Sequence, residues 1–89
     1  MKSRTTRRFR EAFSHLPEPI KERAREAYRR FAENPNHPSL RFKRVHASEA
    51  IYSVRVSRDY RAVGIREGDT VIWFWIGSHT DYDDLISRL

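Results

Sequence analysis

At 89 residues the chain has room for one modest core, so residues 1–89 are expected to form a single domain. It contains no cysteine, which excludes disulfides and thiolate metal sites. Met1-Lys2-Ser3-Arg4 lacks the apolar core of a signal peptide, and no apolar run approaches the ~20 residues of a membrane helix, so a soluble cytoplasmic protein is expected. Eighteen Lys and Arg against 12 Asp and Glu give a net charge of +6, the balance of a protein that meets polyanions. All the basic residues except Lys2, Lys21 and Lys43 are arginines, whose planar fork suits phosphate.

Met1–Thr6 is short and basic, with Thr5 and Thr6 as possible helix caps and weak support for an edge strand. From Arg7, Phe9, Ala12, Phe13 and Leu16 make the stripe of a short amphipathic helix, which Pro17 and Pro19 stop. A second helix is expected over Glu18–Glu33. Its apolar stripe is Ile20, Ala24, Ala27 and Phe31, and Glu26 and Arg30 form an i, i+4 pair. Together the two form a hairpin that covers one face of a sheet, its arginines a solvated surface without substrate contact. Asn34-Pro35-Asn36-His37-Pro38 ends the second helix.

Beyond the prolines the period changes to two. A basic strand is expected over Arg41–Val45, then Ile51–Val56, a turn at Arg58-Asp59, and an antiparallel return over Tyr60–Arg66. Gly68-Asp69 turns into Val-Ile-Trp-Phe-Trp-Ile-Gly (71–77), whose unbroken apolar run fits a strand buried on both faces. A turn on those two residues alone sets Trp73 opposite Gly64 and Trp75 opposite Ala62. Thr80 is placed to cap a last helix over Asp81–Leu89, with Asp81 and Asp84 in its first turn. Two helices followed by a hairpin series is an α+β fold: a helical hairpin on a mainly antiparallel, twisted sheet, with a short C-terminal helix.

Charge is unevenly spread. Arg41, Lys43, Arg44, Arg55, Arg58, Arg61 and Arg66 fall between residues 41 and 66 against only Glu49 and Asp59, and on neighbouring strands they converge into a cationic surface for a nucleic-acid backbone. From Glu67 onward the acids dominate, with Arg88 their only basic neighbour. The four histidines share no metal-ligand spacing, and Gly64, Gly68 and Gly77 make no phosphate loop, so no metal and no cofactor is expected. Cleavage of RNA without metal needs a base near the 2′-hydroxyl, cations around the phosphate and an acid for the leaving 5′-oxygen. His79, at a strand end beside the basic sheet, is the histidine placed for proton transfer near neutrality. Tyr82 has a packing alternative to proton donation, and Trp73 and Trp75 are better read as core than as base-stacking residues.

The order of short helix, Leu16-Pro17, long helix, Asn34-Pro35 and basic strand, followed by Tyr52-Ser53-Val54-Arg55-Val56, Asp59-Tyr60-Arg61-Ala62-Val63 and Trp73-Phe74-Trp75-Ile76-Gly77-Ser78-His79-Thr80-Asp81-Tyr82-Asp83, resembles the RelE/ParE toxin superfamily over essentially the whole chain. The resemblance implies the toxin half of a type II toxin–antitoxin pair, with an antitoxin that wraps the cationic surface. RelE-like members cleave mRNA on the ribosome without metal, inhibiting translation, whereas ParE-like members poison DNA gyrase. Carried onto matching residues, it implies Arg61 at the scissile phosphate, Arg55 as the basic residue of the preceding strand, and His79 and Tyr82 as the groups after the last strand. Arg41, Lys43, Arg44 and Arg58 would bind RNA. Serine at 53 departs from the lysine pair of some nucleases. The expectation is a ribosome-dependent mRNA endonuclease, with a gyrase inhibitor or a non-catalytic family member as alternatives.

Overall fold

A computed structural model describes residues 1–89. The elements are β1 (Lys2–Thr5), α1 (Arg7–Ser14), α2 (Glu18–Glu33), a 3-10 turn (Pro38–Leu40), β2 (Lys43–Arg44), β3 (Ile51–Ser57), β4 (Tyr60–Glu67), β5 (Thr70–Ser78) and α3 (His79–Arg88). The strands form one mixed sheet in the order β1-β5-β4-β3-β2, antiparallel except for β1, which lies parallel to β5. The weakly supported N-terminal edge strand is therefore present, and it leaves β5 paired on both sides. Trp73 Nε1 reinforces this pairing by donating to Ser3 Oγ at 3.2 Å.

Both faces of the sheet are covered. Ala27 and Phe31 of α2 pack with Leu40, Val54, Val56, Ala62, Val71, Trp73 and Ile76, and α1 adds Phe9, Ala12 and Phe13. On the other face Tyr82 of α3 packs with Ile51 and Val63, flanked by Val45, Phe74, Trp75, Leu85 and Ile86. Phe31 meets Phe42 and Trp73 edge-on, at centroid distances of 4.9 and 5.3 Å, the geometry aromatic quadrupoles favour. α1 starts where Thr6 caps the Phe9 amide at 3.1 Å, and Pro17 precedes the α2 that the apolar stripe delimits.

Three local expectations are corrected. Gly68, at φ +63, does make a two-residue turn with Asp69, and Trp73 does oppose Gly64, but Trp75 opposes Val63 and Ala62 opposes Ile76. A bulge at Phe74 inserts one residue into β5. Residues two apart normally share a face, but the bulge sends Trp73 to the α1/α2 face and Trp75 to the α3 face. The basic strand shrinks to Lys43–Arg44 because the 3-10 turn takes residues 38–40 and Arg41 closes it in the left-handed region at φ 47. The last helix begins at His79, capped by Ser78 Oγ on the Asp81 amide at 3.2 Å, so Thr80 is not the cap. The earlier start is fixed by the β3–β4 turn, whose Asp59 carbonyl accepts the His79 amide at 2.7 Å. No helix is long and apolar enough to cross a membrane.

Candidate functional site

Alternation along the strands decides which cations share a surface. In β4, Ala62 points to α1/α2 and Val63 to α3, so Arg61 points to the α3 face. In β3, Val54 and Val56 point to α1/α2, so Arg55 and Ser53 point to α3. Arg55 and Arg61 are direct cross-strand partners, and Lys43 shares their face through its pairing with Ser53. Like charges placed opposite each other destabilise a ladder, which marks this juxtaposition as costly to the fold.

Arg61 is half-buried, and its Nη1 donates to the carbonyls of Ser57 (2.7 Å), Tyr60 (3.0 Å) and Arg58 (3.3 Å). The β3–β4 turn thus grips one corner of the guanidinium. Burial, and then the charge of Arg55, hold its pKa below the ordinary arginine value; Tyr82 and Asp83 act in the opposite direction, and Arg41 adds a smaller lowering. Arg41 lies outside the sheet, yet near enough for its charge to act on Arg61. It occupies a left-handed conformation that costs a side-chain-bearing residue about 1 kcal/mol, a strain of the sort found where function fixes a side chain. None of Arg41, Lys43, Arg55, Arg58 or Arg61 is in an ion pair: Glu11, Glu18, Glu22 and Glu26 of α1 and α2 are matched within their own helices, as Glu11 with Arg7 and Glu26 with Arg30.

The N-terminus of α3 borders the cluster. His79 stacks edge-on to Tyr82 at 5.8 Å, and its Nδ1 lies 3.2 Å from Asp83 Oδ2 one helical turn on. With Nδ1–H given to Asp83, Nε2 is left to accept a proton. Tyr82 is buried, and its hydroxyl donates to Ser53 Oγ at 3.0 Å while its ring packs against Trp75. Ser53, standing in the sheet position opposite Lys43, thus latches α3 onto β3. Asp81 and Asp84 line a separate depression with Gly77 and Arg88.

The remaining sequence-derived site residues divide. Arg58 is exposed at the tip of the β3–β4 turn. Arg44 pairs with Tyr52, on the face opposite Arg61, and its Nε donates to the carbonyls of His46 (3.0 Å) and Glu49 (3.3 Å). Arg44 is therefore corrected from a member of the cluster to a loop brace on the other side. No group of three His, Asp or Glu side chains is arranged to hold a metal ion.

Tyr82→Phe is expected to destabilise the protein by about 1–2 kcal/mol, because Ser53 Oγ would stay buried without its donor. Ser53→Ala should cost a similar amount, and the double substitution less than the sum. Urea denaturation of the four proteins measures the coupling.

The domain is a small α+β sheet that carries arginines outside any ion pair beside an imidazole held by a carboxylate. The sequence matches the family model of the ParE-like toxin domain over residues 18–84, and the chain belongs to that family. Solved structures agree on the fold. RelE in the RelB–RelE antitoxin–toxin complex of Methanococcus jannaschii superposes with a TM-score of 0.74 at 18% identity, covering 92% of this chain and 96% of that one. YafQ of Escherichia coli gives a TM-score of 0.72 at 8% identity, covering 91% and 96%. A YoeB/ParE toxin of Agrobacterium tumefaciens gives 0.68 at 14%, covering 89% and 99%. No curated protein matches the sequence significantly.

Proposed function

We propose that this toxin-family domain is the toxin of a toxin–antitoxin pair and acts as a ribosome-dependent mRNA endonuclease. The observation that carries the reading is the cross-strand Arg55–Arg61 pair, neither member of which is in an ion pair, on the same sheet face as α3 and its His79. An uncompensated cluster of this kind repels itself until an anion arrives, and a phosphodiester passing to a pentavalent transition state gains the most from it.

In the proposed reaction His79 Nε2 takes the proton of a 2′-hydroxyl, whose oxygen attacks the adjacent phosphorus. The P–O5′ bond breaks, the 5′-oxygen takes a proton from water, and a 2′,3′-cyclic phosphate remains. Asp83 keeps the imidazole oriented. Arg55 and Arg61 receive the charge that develops on the non-bridging oxygens, Arg41 and Lys43 hold the flanking strand, and Tyr82 fixes α3 by packing. An antitoxin partner is supported by the related complexes, which include RelB–RelE of Pyrococcus horikoshii and DinJ–YafQ of Escherichia coli.

Expression without antitoxin, followed by mapping of mRNA 5′ ends on stalled ribosomes, tests the reading. The parent protein should arrest growth and produce new 5′-hydroxyl ends, and His79→Ala should lower the cleavage rate about 10²–10⁴-fold. Growth arrest with intact transcripts and gyrase-linked DNA breaks, unaffected by His79→Ala, would replace the nuclease by a gyrase inhibitor.

A further inference from the structure

The helical hairpin does more than cover the sheet. Along α2, Arg23, Glu26, Ala27 and Arg30 follow the i, i+3, i+4, i+7 spacing of one helix face, and Ala27 is the buried member of that face. Arg23 and Arg30, which flank it, are both exposed. Opposite them lies the end of β3 beyond the truncated β2, which pairs only with Ser53 and Tyr52. Between helix and strand end is a polar cleft of about 270 Å³, lined by Arg23, Arg30, Arg55, Ser57 and Arg58, with Glu26 as its only acid. Glu26 is already occupied by Arg30 at 3.0 Å, so Arg23 and Arg58 remain without an ion-pair partner. Arg23 and Arg30, expected to be part of a solvated face, thus line a cleft.

Arg55 lines this cleft at the strand edge while its side chain faces the α3 side with Arg61, so the cleft and the cluster flank the same end of β3. We infer that the cleft is a second phosphate subsite, which holds the backbone of single-stranded RNA next to the scissile phosphate and leads it around the free edge of β3. The inference rests on the nucleic-acid reading above and adds to it a path for the strand. A ribose–phosphate backbone fits better than an acidic peptide, because arginines make up four of the ten lining residues and Ser39 and Ser57 add hydroxyls. The lining also offers little apolar surface to hold peptide side chains.

The test uses full-length protein and a short single-stranded 2′-O-methyl oligonucleotide, which cannot be cleaved, so binding is read independently of chemistry. Arg23→Gln and the Arg23→Gln/Arg58→Gln pair are compared with Arg8→Gln, which removes the same charge from the exposed surface of α1. Fluorescence anisotropy across a salt series should show binding weakened about three- to tenfold by Arg23→Gln, more by the pair. The slope of log K against log salt should be shallower by about 0.7 for each phosphate left without its arginine, with Arg8→Gln close to the parent. Arg23→Lys should restore part of the slope. Equal affinities and slopes for the parent and the paired variant overturn the inference, as does a parent that binds no oligonucleotide. A glutamate-rich peptide whose binding is abolished in the pair while oligonucleotide binding is kept also overturns it, assigning the cleft to acidic protein. If ribosomal mRNA cleavage is absent from the parent but the oligonucleotide slope still falls with Arg23→Gln, the subsite stands and the nuclease reading falls.

Discussion

Arg61→Ala is expected to slow mRNA cleavage about 10²–10³-fold, the loss that follows removal of one preorganised charge donor from a transition state. The expectation comes from how the side chain is held. Its Nη1 is committed to the carbonyls of Ser57, Arg58 and Tyr60, which point the rest of the fork towards Arg55 and the α3 rim. The like charges of Arg55 and Arg41, together with partial burial, make the free cluster unfavourable, so the energy returned on meeting a phosphate is larger than for a solvated arginine. Arg61→Lys keeps the charge but loses the carbonyl grip and the two-pronged donor set, and should recover only a small part of the rate. Removing the three hydrogen bonds also loosens the turn, costing on the order of 1–2 kcal/mol, so melting curves must accompany the kinetics. Single-turnover cleavage on programmed ribosomes, at saturating protein, separates the two effects. Arg44→Ala serves as the control: it removes an equal charge from the opposite face and should leave the rate near the parent value. Equal rates for Arg61→Ala and the parent would contradict the proposed mechanism.

The contrast between Arg44 and Arg61 shows what the sequence carried and what it did not. Alternation of apolar and polar residues delimits β3 and β4, and prolines with an apolar stripe delimit α1 and α2, because these signals are local. Which face a strand residue occupies depends on register. Register follows from local turn chemistry at Gly68-Asp69, but not at the Phe74 bulge, which puts Trp73 and Trp75 on opposite faces of the sheet. The sequence points to Thr80 as the cap of α3, and the start at Ser78 instead accompanies a contact twenty residues away along the chain, His79 N–H to Asp59 O. That hydrogen bond also anchors His79 beside the turn that grips Arg61. Arg23 is invisible in the sequence for a similar reason. Its spacing on α2 reads as a solvated face, and only the short β2 opens the cleft that it enters.

Gly64→Ala should destabilise the fold by about 2–3 kcal/mol, although alanine is the better residue in most strands. The position is buried in the central strand of the sheet. A Cβ there would stand 2.6 Å from Val71 Cγ1, 2.8 Å from Trp73 Cε3 and 2.9 Å from the Ile72 carbonyl oxygen. None of these can withdraw cheaply. The carbonyl belongs to the β5 ladder, Val71 is fully buried, and Trp73 is wedged against Phe31 and tied to Ser3. Smaller partners should relieve part of the clash. Val71→Ala alone should cost about 2 kcal/mol through the cavity it leaves, yet the double substitution should cost about 1 kcal/mol less than the two singles together. Chemical denaturation of the four proteins closes the cycle, and strict additivity would show that the backbone around Gly64 yields instead. The functional consequence lies on the other face. Arg61 and Val63 precede Gly64 on the same strand, and Val63 is the residue on which Tyr82 of α3 rests. Displacement of β4 towards α3 would therefore shift Arg61 against His79. A Gly64→Ala protein that still folds at low temperature should bind oligonucleotide nearly as well as the parent while cleaving mRNA more slowly, since binding tolerates displacements that proton transfer and in-line attack do not.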